Sequence, residues 1–107
     1  MKRKKRLPYG FQSIDRDDIR SVSLALKNDF LTTGPLVEKF ESKLKSLTQA
    51  KHAVACANGT AALHLACNAI SLQKGDWVIV PSVTFLATAN AVRFCGANVF
   101  FSDVFNN

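Results

Sequence analysis

Residues 53–63 read Ala53-Val54-Ala55-Cys56-Ala57-Asn58-Gly59-Thr60-Ala61-Ala62-Leu63. A short uncharged run of small and apolar residues gives way to a turn, and the turn to an alanine-rich stretch. The first part predicts a buried strand over 53–57. Asn58-Gly59-Thr60 predicts a tight turn, and 61–70 a helix rich in small residues. Toward the C-terminus the pattern repeats. Lys74-Gly75-Asp76 is a turn, and 77–80 is a second strand stopped by Pro81. A helix over 85–95 follows, capped by Ser82 or Thr84 and ended by Gly96. Residues 97–101 predict a third strand. Toward the N-terminus, Leu36, Val37, Phe40, Leu44 and Leu47 share one stripe, which predicts an amphipathic helix over 36–49. Ile19, Val22 and Leu26 predict another over 15–28, with Asp15 and Asp18 placed as a capping box.

The resulting order is α-α-β-α-β-α-β. Strands alternating with helices call for a parallel sheet with helices on its faces. The chain has 107 residues, 48% hydrophobic and 21% charged, which fits a globular domain and not a disordered segment. No apolar run approaches the 20 or so residues of a membrane span, so no membrane association is expected. The basic start is followed by Leu7-Pro8-Tyr9-Gly10 and not by the apolar core of a secretory signal. Cys56, Cys67 and Cys95 form neither a paired framework nor zinc spacing, which fits a reducing, cytoplasmic setting. Of the net charge of +6, five units lie at Lys2, Arg3, Lys4, Lys5 and Arg6. The remaining nine basic residues face eight acidic ones, a net of +1. The tail over 1–7 is expected to be a disordered, solvated end. Nucleic acid is not expected as a partner, because no aromatic or glycine-rich signature accompanies the charge.

In a parallel α/β sheet, ligands gather at the carboxyl ends of strands, where helix N-termini point. Two such junctions occur. At Asn58-Gly59-Thr60-Ala61, Gly59 lets the backbone approach a ligand closely. The amides around Thr60 and Ala61, with the Thr60 hydroxyl, can hold an anion at the positive end of the helix dipole. The motif is neither a P-loop nor G-x-G-x-x-G. From the residues alone, an anion cradle and a plain helix cap both stay open. At Pro81-Ser82-Val83-Thr84-Phe85, the Phe85 ring is placed either to stack on a flat ligand or to fill the core. His52 and His64 read as structural, and Cys56, in an apolar strand, does not read as a nucleophile.

Several motifs in register resemble a known family. They are Pro8-Tyr9-Gly10, Leu31-Thr32-Thr33-Gly34-Pro35, Val37-Glu38-Lys39-Phe40-Glu41, Asn58 to His64, Gly75 to Ala91, and Cys95-Gly96-Ala97. Together they are similar to the start of the DegT/StrS-type sugar aminotransferases, and most of all to the keto-sugar transaminases of pseudaminic acid formation. The resemblance implies the N-terminal portion of the fold-type I aminotransferase large domain, with an incomplete parallel sheet. It divides the chain into the tail, a helical segment over 8–50 and a partial cofactor-binding α/β domain over 51–107. It implies pyridoxal 5'-phosphate as cofactor, with Gly59, Thr60 and Ala61 on its phosphate and Phe85 against its ring. Tyr9, Thr32 and Thr33 are implied near the substrate, a nucleotide-linked keto sugar. Glutamate is the implied amino donor and a homodimer the implied assembly.

The family's cofactor-anchoring lysine follows a Ser-x-His-x-x-Lys pattern that these residues do not contain. Lys51 and Lys74 stand in other settings. The expectation is therefore a truncated aminotransferase, inactive alone and poor in stability, because the strand over 53–57 lacks its neighbours. The competing reading is a small α/β module that binds an anion at Asn58–Ala61, or nucleic acid through its basic tail.

Overall fold

The computed structural model describes residues 10–103. The basic tail and Tyr9 lie outside the described residues, as do 104–107. The elements are α1 (Arg16–Ala25), α2 (Pro35–Thr48), α3 (Gly59–Ala69), β1 (Trp77–Pro81), α4 (Ala87–Phe94) and β2 (Asn98–Ser102). The chain divides into two compact units, the first ending at Lys39 and the second beginning at Phe40.

In the first unit, α1 begins with the anticipated capping box. The Asp15 carboxylate accepts from the amides of Asp17 and Asp18, and the Asp18 carboxylate accepts from the Asp15 amide. The helix ends at Ala25, three residues before the expected end, and Leu26 to Asn28 continue as a turn. The connection to α2 runs through Gly34, whose φ of +117° lies in the left-handed region. An added Cβ there would stand 2.9 Å from the Phe30 Cβ. Both facts call for glycine at this corner.

In the second unit, β1 and β2 form a two-stranded parallel sheet in the register Trp77↔Asn98, Val78↔Val99, Ile79↔Phe100, Val80↔Phe101 and Pro81↔Ser102. β1 ends at Pro81, as the proline predicts, with Pro81 itself the last paired residue, one beyond the expected 77–80. Pro81 has no N–H to lose, and the ladder continues through the Ser82 amide to the Ser102 carbonyl at 2.8 Å. The core is built on α4, whose Ala89 and Val92 meet Val80 and Ala97, flanked by Cys67, Leu72, Val78 and Val99. Small residues dominate it, so α4 lies close on the sheet. Because side chains alternate across a strand, Trp77 and Ile79 are left 68% and 71% exposed.

Two expectations are corrected here. Residues 53–57 form no strand: the segment is extended, pairs with no strand among the described residues, and leaves Val54 77% exposed. An apolar run becomes a strand only when a partner strand takes up its amides and carbonyls. Here the Ala55 amide instead donates to the Glu41 carboxylate on α2 at 2.8 Å. The observed order is therefore α-α-α-β-α-β. Second, α4 starts at Ala87 and not at 85. Neither Ser82 nor Thr84 caps it: the N-cap is Leu86, with no side-chain hydrogen bond, and the Thr84 hydroxyl meets that of Thr88 at 2.9 Å.

Candidate functional site

The site is built where α3 begins. Asn58 is its N-cap, in extended backbone, and its side-chain oxygen accepts from the Ala61 amide at 2.9 Å. Its carbonyl accepts from the Ala62 amide at 3.1 Å. A helix starts with four amides that have no intrahelical acceptor, and the cap satisfies only part of that set. The Gly59 and Thr60 amides and the Thr60 hydroxyl have no partner among the described residues. The Ala61 amide, expected as a ligand donor, is engaged by Asn58.

Across from this turn stands Phe85, between β1 and α4. It is 78% exposed, so it is not a core residue. Gly59, Thr60, Ala62, Leu63, Phe85 and Ala87 line one open cleft of about 540 Å³. A Cβ added to Gly59 would meet nothing within 4 Å. The backbone at this turn therefore faces free space, and a side chain there would occupy it. The cleft thus has a polar end, made of two unclaimed amides and a hydroxyl at the helix N-terminus, and an apolar side that includes an aromatic ring.

This donor set fits pyridoxal phosphate. A phosphate dianion is matched by the amides, the hydroxyl and the positive end of the helix dipole. A flat heteroaromatic ring is matched by Phe85 and the aliphatic wall, and no carboxylate lines the cleft to oppose the anion. Gly59, Thr60 and Phe85 are thereby brought together, although Thr60 and Phe85 lie 25 positions apart in the sequence. Ala62, Leu63 and Ala87 were not singled out from the sequence. The helical period starting at Gly59 was the signal that puts Ala62 and Leu63 on the same side.

Thr32 and Thr33 belong to the first unit and lie exposed in the turn between α1 and α2. That unit has a cavity of about 270 Å³ lined by Asn28, Asp29, Phe30, Pro35, Leu36 and Lys39, to which neither threonine contributes. Cys56, expected inside a buried strand, is exposed. His64 has a structural contact, its ring lying against that of Phe94. Among the described residues no His, Cys, Asp and Glu side chains cluster as metal ligands. No helix among them is long and apolar enough to cross a membrane.

Residues 12–107 match the DegT/DnrJ/EryC1/StrS aminotransferase family, and the chain belongs to that family. It is 40% identical over 106 residues to the spore coat polysaccharide biosynthesis protein SpsC of Bacillus subtilis, covering 99% of this chain and 27% of SpsC. It is 42% identical over 101 residues to a UDP-4-amino-4,6-dideoxy-N-acetyl-beta-L-altrosamine transaminase of Campylobacter jejuni, covering 94% of this chain and 27% of that enzyme. Among solved structures, Spr1654 of Streptococcus pneumoniae in its PLP-form superposes with a TM-score of 0.83 at 30% identity, over 92% of this chain and 25% of that one. The chain thus spans about a quarter of the length of the relatives it matches.

Proposed function

We propose that residues 51–107 supply the phosphate-holding end and one ring face of a pyridoxal-phosphate site in a sugar aminotransferase. The observation that supports this reading is the convergence of the free Gly59 and Thr60 amides and the Phe85 ring on one cleft. The two amides and the Thr60 hydroxyl donate to the phosphate oxygens. Asn58 holds the first turn of α3 so that those amides point outward together. Phe85 covers one ring face and keeps water from it. When bound, pyridoxal phosphate supplies a carbonyl carbon that accepts an amino group and a ring that withdraws electrons from it.

The reaction proposed for the whole protein moves an amino group from glutamate to a nucleotide-linked keto sugar, in the cytoplasm and in a homodimer. The Campylobacter enzyme, a UDP-amino-sugar transaminase, is similar to this chain across 94% of its length, which supports that class of substrate. Within it, Thr32, Thr33 and Tyr9 are assigned to the sugar side, on the helical segment over 8–50. The lysine that would anchor the cofactor covalently is assigned to none of these 107 residues. Lys51 and Lys74 are exposed, and neither lines the cleft. The chain tested by itself is therefore expected to hold the cofactor weakly and to transfer no amino group.

Titration with pyridoxal phosphate tests the reading, followed by the phosphorus resonance of the ligand and by absorbance. The expected result is a saturable shift of the phosphorus signal, competed by inorganic phosphate, without the absorbance change of a lysine adduct. No saturable shift, or a shift unaltered in Gly59→Val and Phe85→Ala variants that remain folded, overturns it.

A further inference from the structure

Of the chain's seven asparagines only Asn58 is followed by a glycine. At that step the fold leaves a backbone nitrogen open. Asn58 and Gly59 are both exposed, and the Gly59 amide has no acceptor among the described residues. A Cβ added to Gly59 would meet nothing within 4 Å. The Asn58 side chain is held through its oxygen alone, by the Ala61 amide at 2.9 Å, and its Nδ2 has no partner among the described residues. Asn68 and Asn90 stand differently: they lie inside α3 and α4, where helical backbone bonds claim the amide that follows. Asn98 opens β2 ahead of Val99, whose branched Cβ screens its nitrogen.

We propose that Asn58 is a site of self-modification, at which the side-chain amide is lost and a carboxylate appears at the head of α3. Hydroxide takes the proton from the Gly59 nitrogen. That nitrogen attacks Cγ of Asn58, a C–N bond forms, and the bond from Cγ to Nδ2 breaks. Nδ2 leaves as ammonia, with its third proton drawn from water, and a five-membered imide remains. A water molecule then opens the ring. Cleavage at Cγ gives an aspartyl residue. Cleavage at the backbone carbonyl gives an isoaspartyl one, with the main chain routed through the former side chain. Ring closure turns Asn58 away from its extended ψ of 171°, so the side chain must first leave the Ala61 amide. Only the cap has to open for this, not the core. The aspartyl product can cap α3 again, since a carboxylate there accepts from the Ala61 amide and suits the helix dipole. It also sets a negative charge beside the Gly59 and Thr60 amides. On the reading that these amides hold a phosphate, on which this consequence rests, the product repels that ligand.

The test incubates the full chain, native and in concentrated guanidinium, at mildly alkaline pH without ligand. Each asparagine peptide is followed by mass and by separation of the two isomers. The expected result is conversion at Asn58 ahead of every other asparagine, rising with hydroxide concentration. Because a side-chain cap is a weak restraint, the native rate should stand within about tenfold of the unfolded one. Gly59→Ala, which the fold accommodates, should slow conversion about tenfold, since glycine leaves the backbone free to turn. Faster conversion at another asparagine, a native rate further below the unfolded one, or an unchanged rate in Gly59→Ala would each overturn the proposal. A separate titration with pyridoxal phosphate, read by phosphorus resonance, compares the unmodified chain with Asn58→Asp. Binding about tenfold weaker in the variant is expected, and equal binding overturns the effect on the ligand. No saturable binding by either chain overturns the phosphate reading and leaves the modification standing.

Discussion

The imidazole of His64 on α3 meets the ring of Phe94 on α4 edge to face, with centroids 5.4 Å apart and planes at 64°. This pair lies on the packing surface that holds the Gly59–Thr60 turn to the β1-α4-β2 unit. A double-mutant cycle with His64→Ala and Phe94→Ala is expected to give a coupling of about 1 kcal/mol, the usual worth of such ring pairs beyond area burial. Denaturant unfolding measures it. Strictly additive single-variant effects would show that the two rings are neighbours without interacting.

Asn58 and Gly59 separate the structural role of the α3 turn from the binding role proposed for it. Asn58→Ala removes the side-chain cap on the Ala61 amide and is expected to cost about 1 kcal/mol of stability. Gly59→Ala meets no atom within 4 Å, and its φ is not in the left-handed region. It should leave stability unchanged or raise it by roughly 0.5 kcal/mol, because alanine restricts the unfolded chain. The same methyl projects into free space beside the donor amides, so affinity for a phosphate monoester should fall. Thermal melts read beside phosphorus titrations check both halves.

The Glu41 carboxylate holds the Ala55 amide at 2.8 Å and is the hydrogen bond that fixes the extended segment ahead of α3. A charged acceptor makes this stronger than a neutral bond. Glu41→Ala is expected to cost about 1–2 kcal/mol and Glu41→Gln less, since the carboxamide keeps an acceptor. Amide hydrogen exchange at Ala55 reports it directly. Unchanged protection in Glu41→Ala would mean that the segment is held by something other than this bond.

Partial desolvation, and after it the neighbouring Cys67 thiol, push the Cys95 thiol above the ordinary range. The folded chain therefore holds that proton more tightly than the unfolded one. The stability this contributes is complete at neutral pH and is lost as pH rises from the unfolded to the folded thiol range. Reactivity follows the same sign, because the thiolate is the nucleophile. At neutral pH iodoacetamide should label exposed Cys56 well before Cys95, and the gap should narrow as the pH is raised. Peptide mass analysis across a pH series measures both rates.

Signals written in short stretches of sequence were legible. The Asp15–Asp18 box, the α2 stripe, the Asn58 turn and the β1-α4-β2 unit all stand within a few residues of their expected places. The start of α3 was legible for the same reason: Gly59 and Thr60 open the helix directly. What failed depended on distant partners. The apolar composition of 53–57 says that the segment avoids water, but strand pairing is decided by a neighbour, and the Ala55 amide found a carboxylate instead. Thr84 had the right chemistry for a cap, but its hydroxyl turned to Thr88. That Phe85 faces a cleft and not the core could not be read from its spacing. Only the position of α4 against β1, set by alanines that permit close approach, decides which side of the chain the ring occupies.

The pleat of β1 also has a practical consequence. Trp77 is the chain's only tryptophan, and it sits on the wet side of a strand whose Val80 is dry. Its fluorescence is therefore a native optical gauge of that side alone. Anything that settles over Trp77 and Ile79 will move the emission to the blue, while rearrangements confined to the α4 side will leave the colour unchanged. No dye or engineered label is needed to tell the two apart.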